Sequence, residues 1–288
     1  MTDLHLWLRH EVRSTERRTP VVPDDARRLV RGGVRLTVEE SPQRIFPAAE
    51  YEAVGARIVP AGSWQSAPRD TVVLGLKELP DEPGELTHRH IFFGHAYKGQ
   101  PGAVDLLRRF AAGGGALLDL EYLVDDRGRR LAAFGFWAGY LGAALAVLRH
   151  RDRRALLDHD VLVNCVLATT PVPPFVREED LDDPARRLRT LSDVTCDVGS
   201  PLNVLPVYDR TTERTDPVRR LAKEPPLDLI AIDNLPSLLP EESSVGFSGS
   251  LLPLLLEFGV GGPWGRCLDR FHQACRELGI DEGEFRRV

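Results

Sequence analysis

Thr71-Val72-Val73-Leu74-Gly75-Leu76-Lys77 reads as a short buried strand that delivers a lysine at its carboxyl end. The same reading repeats on both sides of it. Upstream, a short helix beginning near Asp24 is stopped by Gly32-Gly33 and followed by a strand over 33–40, a helical segment over 46–54 and a strand over 57–60. Downstream, His90-Ile91-Phe92-Phe93-Gly94-His95 is a second buried strand with His95 at its exit. Residues 101–112 then form a helix, and 116–122 a strand ending in Asp119, Glu121 and Tyr122. Strands alternating with helices predict an α/β protein with a mostly parallel sheet. Ligands of such sheets lie outside the carboxyl ends of the strands, so Lys77, His95 and Glu121 are expected in one crevice.

Past this region a long apolar helix, 132 to about 148, bridges to three further strands at 160–167, 188–196 and 227–233. The chain closes with helices near 248–258 and 264–278, and linkers are expected at 150–154 and 207–217.

The 288 residues, 42% hydrophobic and 28% charged, are those of a folded globular protein with room for two domains. A net charge of -6 offers no basic face to a nucleic acid, and no apolar run suits a membrane span. Met1-Thr2-Asp3 lacks the features of a signal peptide, so a cytoplasmic location is expected. Four cysteines without a CxxC pair read as thiols. His88-x-His90 lacks a third ligand nearby, so no metal is expected. Of 37 basic residues only Lys77, Lys98 and Lys223 are lysine. Arginine keeps its proton, whereas a desolvated lysine can release one and act as a base, which singles out Lys77.

Several blocks extend the pattern: Glu11, Arg13 and Glu16-Arg17-Arg18-Thr19-Pro20; Gly75-Leu76-Lys77-Glu78-Leu79-Pro80; Gly94-His95-Ala96-Tyr97-Lys98-Gly99-Gln100; Asp119-Leu120-Glu121-Tyr122-Leu123; Gly128-Arg129-Arg130-Leu131; and Ile232-Asp233-Asn234-Leu235-Pro236. In their order the chain resembles the lysine-forming, NAD-type saccharopine dehydrogenases, related to the N-terminal domain of alanine dehydrogenases. The resemblance implies a Rossmann-like N-terminal domain, 1–135 with 245–288, that carries substrate and catalysis, and a truncated second Rossmann-like domain over 136–244. It implies chemistry on the C–N bond between an amino acid's amine and a 2-oxo acid such as 2-oxoglutarate. It also implies Lys77 as general base, His95 as a second acid/base group and Glu121 as the carboxylate that tunes them. Arg18 and Arg130 would hold substrate carboxylates, Lys98 would line the substrate site, and Asp233 would meet a nicotinamide.

The chemistry asks for these residue types independently. Imine hydrolysis moves protons among water, a carbinolamine oxygen and a departing amine, which suits two titratable groups. Planar guanidinium groups suit a dicarboxylic amino acid or 2-oxo acid, and a monocarboxylate would leave a buried arginine uncompensated. Structural readings stand beside these: Lys77 as ion-pair partner of Glu78 or Glu121, and His95 as a satisfied core histidine.

One segment of the pattern is missing. No GxGxxG occurs, and from Leu148 the chain runs almost directly into the strand at 160, whereas a βαβ unit needs about 30 residues. The expectation from this gap is a redox-neutral enzyme of the saccharopine dehydrogenase type that uses no cofactor. The alternatives are an NAD-dependent saccharopine dehydrogenase with unusual cofactor binding, and a silent ligand-binding or scaffold homologue. Loss of the first strands of a doubly wound sheet would expose an edge, which predicts a homodimer.

Overall fold

Six strands pair in the order β3-β2-β1-β4-β5-β6, every pair parallel: β1 (His5–Leu8), β2 (Arg35–Glu39), β3 (Arg57–Val59), β4 (Val72–Leu74), β5 (Arg89–Phe92) and β6 (Ala116–Asp119). This is the strand order of a Rossmann-like sheet, whose direction of growth reverses between β1 and β4. The computed structural model describes residues 4–97, 99–100, 102–142, 160–166, 171, 173–184, 186–259 and 261–280. The chain divides into two compact units, Met1–Phe134 with Leu239–Val288, and Gly135–Leu238.

Side chains alternate across the first sheet as the two-residue period requires. Leu6, Leu8, Val72 and Leu74 enter a core closed by Ala26 and Leu29 of α1 (Pro23–Arg31), Tyr51 of α2 (Ala48–Glu52), and Phe247, Leu251 and Leu255 of α5 (Pro240–Leu256). Trp7, Val73 and Phe92 enter a second core against Leu107 and Phe110 of α3 (Ala103–Gly113) and Phe271 and Ala274 of α6 (Gly262–Glu277). Both faces are thus covered, as an all-parallel sheet needs. Phe110 and Phe271 meet edge to face at 5.9 Å, and burying each ring contributes about 2–3 kcal/mol.

Two differences from the sequence reading have plain causes. The strands end sooner than their apolar runs: past Leu74 the Gly75 amide still donates to the Ile91 carbonyl at 2.9 Å, but those of Leu76 and Lys77 turn to the Glu11 carboxylate at 2.7 and 3.0 Å, which ends β4. Helix α5 begins at Pro240, eight residues before the expected start at 248, because Ser243, Ser244 and Ser248 are buried helix residues. Ser244 Oγ accepts from the Thr19 amide at 2.9 Å, and Ser248 Oγ accepts from the Val22 amide at 3.0 Å and donates to Asp25 at 2.6 Å. These bonds tie the helix to the segment that carries Arg18.

The second unit begins with a helix, α4 (135–142), and holds a four-stranded sheet in the order β7-β8-β10-β9: β7 (Asp160–Asn164), β8 (Leu188–Asp193), β10 (Leu227–Ile230) and β9 (Arg219–Ala222). The first three are parallel, and β9 runs antiparallel to β10. Strand β9 escaped the sequence reading because Arg219 and Arg220 hide its character; Arg220 is paired with Asp228 across the ladder. Leu191, Leu205, Leu227 and Leu229 form its core. Among the described residues no helix is long and apolar enough to cross a membrane.

Candidate active site

At the reversal between β1 and β4 the exits of two neighbouring strands are tied together. Arg9, 1% exposed, donates from Nη2 to the Lys77 carbonyl and to the Glu78 carbonyl at 3.3 Å, while Nη1 lies 3.3 Å from Glu11 Oε2. Glu11 in turn accepts the Leu76 and Lys77 amides. A buried ion pair therefore grips the backbone on both sides of Lys77. The Lys77 side chain is half-buried, and its charge acts on Glu16, Glu78 and His95. Glu78 pairs with Arg13, Nε to Oε1 at 2.9 Å.

His95 follows the exit of β5 in a left-handed conformation, φ 49°. Its Nδ1 lies 3.5 Å from Oε1 of Glu121, which stands on the 3-10 turn after β6. Partial loss of water disfavours the charged imidazolium, but the Glu121 hydrogen bond and charge, with Asp119 behind, outweigh it and raise the His95 pKa. Asp119 ends β6 fully buried, and its Oδ1 accepts the Glu121 amide at 2.9 Å. A cavity of about 500 Å³ opens beside His95 and is lined by Glu78, Phe92, Ala103, Asp105 and Arg109 among others.

Arg18 is 4% exposed and held by Glu16 through two parallel bonds, with its guanidinium 4.1 Å from the centre of the Phe134 ring. Burial would raise the Glu16 carboxyl, but the Arg18 hydrogen bonds and charge bring it below its usual range. Arg130 is exposed and stands on a small antiparallel turn opposite Val124, ahead of α4. Lys98 lies outside the described residues. Asp233 belongs to the other unit, exposed in the turn beyond β10. Lys77, His95 and Glu121 thus share the carboxyl edge of one sheet, with Arg18 in the same unit.

Three functional residues, Arg9, Glu11 and Glu16, have no role assigned by the sequence pattern. The spacing Glu16-x-Arg18 was a usable signal, since residues two apart in extended chain face the same side. Arg9-x-Glu11 carries the same spacing and is likewise an ion pair, at 3.3 Å, but nothing local shows that the pair grips backbone groups about 65 residues away.

In the second unit the parallel strands β7, β8 and β10 offer the kind of carboxyl-end crevice where dinucleotides lie in doubly wound sheets. The exits there are polar and ordered by a buried network: Asp193 Oδ1 accepts from Asn164 Nδ2 at 2.9 Å and Thr195 Oγ1 at 2.8 Å, and Oδ2 accepts from Tyr208 at 2.7 Å. A polar, ordered rim of this kind is chemically compatible with a nicotinamide carboxamide, although both Asp193 oxygens are already taken within the network. A glycine-rich pyrophosphate cradle is absent from the sequence.

Comparison with known proteins agrees with the site. A family model described as "Alanine dehydrogenase/PNT, N-terminal domain" matches residues 7–141. The NAD(+), L-lysine-forming saccharopine dehydrogenase of Schizosaccharomyces pombe is 35% identical over 339 residues, covering 88% of this chain and 92% of that protein. The protein of the same name from Emericella nidulans is 36% identical over 366 residues, covering 95% of this chain and 98% of the relative. That alignment is 366 positions long against 288 residues here, so at least 78 positions of the relative have no counterpart. Among solved structures, an L-alanine dehydrogenase superimposes with a TM-score of 0.69 at 14% identity, covering 94% of each chain.

These relatives overturn the expectation of a cofactor-free chain. Proteins named for NAD(+) match over most of its length, and one missing cradle is not the loss of the whole cofactor site. The glycine-rich turn holds only the pyrophosphate; a dinucleotide also rests along the carboxyl ends of parallel strands, which β7, β8 and β10 retain.

Proposed function

This chain belongs to the saccharopine dehydrogenase family, and we propose that within it the chain catalyses the NAD-dependent oxidation of saccharopine to lysine and 2-oxoglutarate. The observation that carries the reading is its 35–36% identity to NAD(+), L-lysine-forming enzymes over 88–95% of its length. The exits of β4, β5 and β6 support it, because they set a lysine, a histidine and a glutamate at one sheet edge.

In this reading Lys77, held by the grip of Arg9 and Glu11 on its backbone, takes the proton of the substrate's secondary amine as its C–N bond is oxidised to an imine. Water then adds to the imine carbon. His95, whose proton Glu121 helps retain, moves protons between the carbinolamine oxygen and the departing lysine amine. Arg18, whose charge Glu16 already shares, and Arg130 are assigned to the substrate carboxylates, and Lys98 to substrate binding. NAD would be the two-electron acceptor, and Asp233 beyond β10 would be the residue assigned to its nicotinamide. The balance is saccharopine, NAD+ and water to lysine, 2-oxoglutarate, NADH and a proton.

The test is direct: the purified chain should produce NADH from saccharopine and NAD+, and should consume NADH when given lysine and 2-oxoglutarate. Failure in both directions, with folded protein, overturns the reading. We extend it to a homodimer, in which a symmetric partner covers the edge of β7, a strand paired only to β8 among the described residues. A light-scattering mass of 32.1 kDa, that of one chain, would count against the dimer.

A further inference from the structure

Behind the Glu121–His95 pair lies a second carboxyl that the mechanism above does not use. Asp119 is the last residue of β6 and is 0% exposed. Its Oδ1 accepts the Glu121 amide, while its Oδ2 is buried with no donor in good hydrogen-bond geometry among the described residues, only the Gly94 backbone beside it favouring the ionised form. The residue before His95 presses on the same carboxyl: a Cβ added to Gly94 would come 3.4 Å from Asp119 Oδ2 and 2.6 Å from the Leu117 side chain. Asp119 is therefore wedged between the backbone that carries Glu121 and the backbone that carries His95.

A fully buried carboxyl served by little more than one backbone amide in good geometry is costly when ionised, so such a group needs a reason to be there. Burial pushes the Asp119 pKa up to about 6, and the Glu121 charge pushes the same way, while the Glu121 amide, the His95 charge and the Gly94 backbone oppose. The group thus changes charge close to where a histidine does.

We propose that Asp119 is a positioning residue of the reaction, acting through Glu121 to set how tightly His95 holds its proton. This rests on reading His95 as an acid/base group. An ionised Asp119 favours imidazolium; a neutral one releases it. The other groups facing the cluster are Lys77, whose charge works against imidazolium, and on the far side Tyr97, Tyr122, Cys267 and Arg270. Burial pushes the Tyr97 hydroxyl up and the Cys267 thiol up to about 12, so both stay neutral. Arg270 is spent over the rings of Tyr97 and Tyr122, at 4.9 and 5.7 Å.

The variant that isolates the charge is Asp119→Asn, because the amide oxygen can still accept the Glu121 N–H and keep the turn. The readout is the titration of the His95 ring nitrogens by NMR in the full chain without substrate, assigned by the loss of the signal in His95→Gln. The midpoint of Asp119→Asn is expected at lower pH than that of wild type, and the limb of the kcat/KM profile that His95 controls should move the same way. An unchanged midpoint in folded Asp119→Asn, even with reduced thermal stability, would mean a purely structural role and overturn the proposal. If the variant does not fold, wild type decides. The Asp119 carboxyl carbon should titrate above ordinary carboxylates and its step should appear in the His95 nitrogens; a normal carboxyl titration, or a step His95 does not sense, overturns the proposal. A wild-type chain inactive toward saccharopine would sink the proposed function and leave this titration result standing.

Discussion

Arg18 lies on Glu16 in a fork-to-fork pair, Nε to Oε1 at 2.8 Å and Nη2 to Oε2 at 2.6 Å, with the Arg18 side chain 4% exposed and that of Glu16 0%. The pair neutralises a buried arginine before any substrate arrives. The sequence argument that a monocarboxylate would leave a bare buried charge therefore does not hold for Arg18. Glu16→Ala should destabilise the protein by about 3–5 kcal/mol, the cost of stranding a buried charge. Urea unfolding measures this; a loss below about 1 kcal/mol would show that the guanidinium reaches water without its partner.

Lys77 is half-buried and its backbone is held independently of its side chain. Lys77→Met should melt within a few degrees of wild type while losing about 100-fold or more in kcat. Lys77→Arg should be equally inactive, because a guanidinium does not release its proton. An active arginine variant would assign the position to charge alone, as read from steady-state rates.

Gly75 has no room for a side chain: an added Cβ would meet Arg9 Nε at 2.5 Å. Gly75→Ala must push aside the guanidinium that grips the Lys77 carbonyl. A destabilisation of about 1–3 kcal/mol is expected, together with a fall in kcat at little change in KM. Wild-type kinetics in this variant would show that the Arg9 clamp does not position Lys77.

His90 is fully buried in β5 among Trp64, Phe92 and Phe110, with neither ring nitrogen hydrogen-bonded among the described residues. Burial first, then the charges of Arg9, His88 and Arg109, lower its pKa well below 6.5. The unfolded chain then binds a proton that the folded chain refuses. Stability from this group is complete above about pH 6.5 and declines as pH falls below it. His90→Leu should flatten that decline in thermal melts between about pH 7 and 5; an unchanged slope would place the acid sensitivity elsewhere.

Much of the fold was legible because local pattern and topology agree. Short apolar runs alternating with helices admit a parallel sheet with right-handed crossovers, and in such a sheet every strand exits on the same side. Lys77, His95 and Glu121 could therefore be placed at one edge from order alone. Strand β9 and the first turns of α5 were not legible, because arginines and serines that read as solvent-facing are satisfied by Asp228, Asp25 and the backbone of 19–22.

The sequence by itself determined which residue types reach the site and from which strand ends they come. Only the tertiary structure decided which carboxylates are buried and what the distant ones face: Glu11 on the amides before and at Lys77, and Asp119 against the backbone of Gly94. The reason is that desolvation and Coulomb attraction depend on distance in space. Glu11 meets its donors 65 residues along the chain, and Gly94 meets Asp119 25 residues on, separations over which no local sequence pattern carries information.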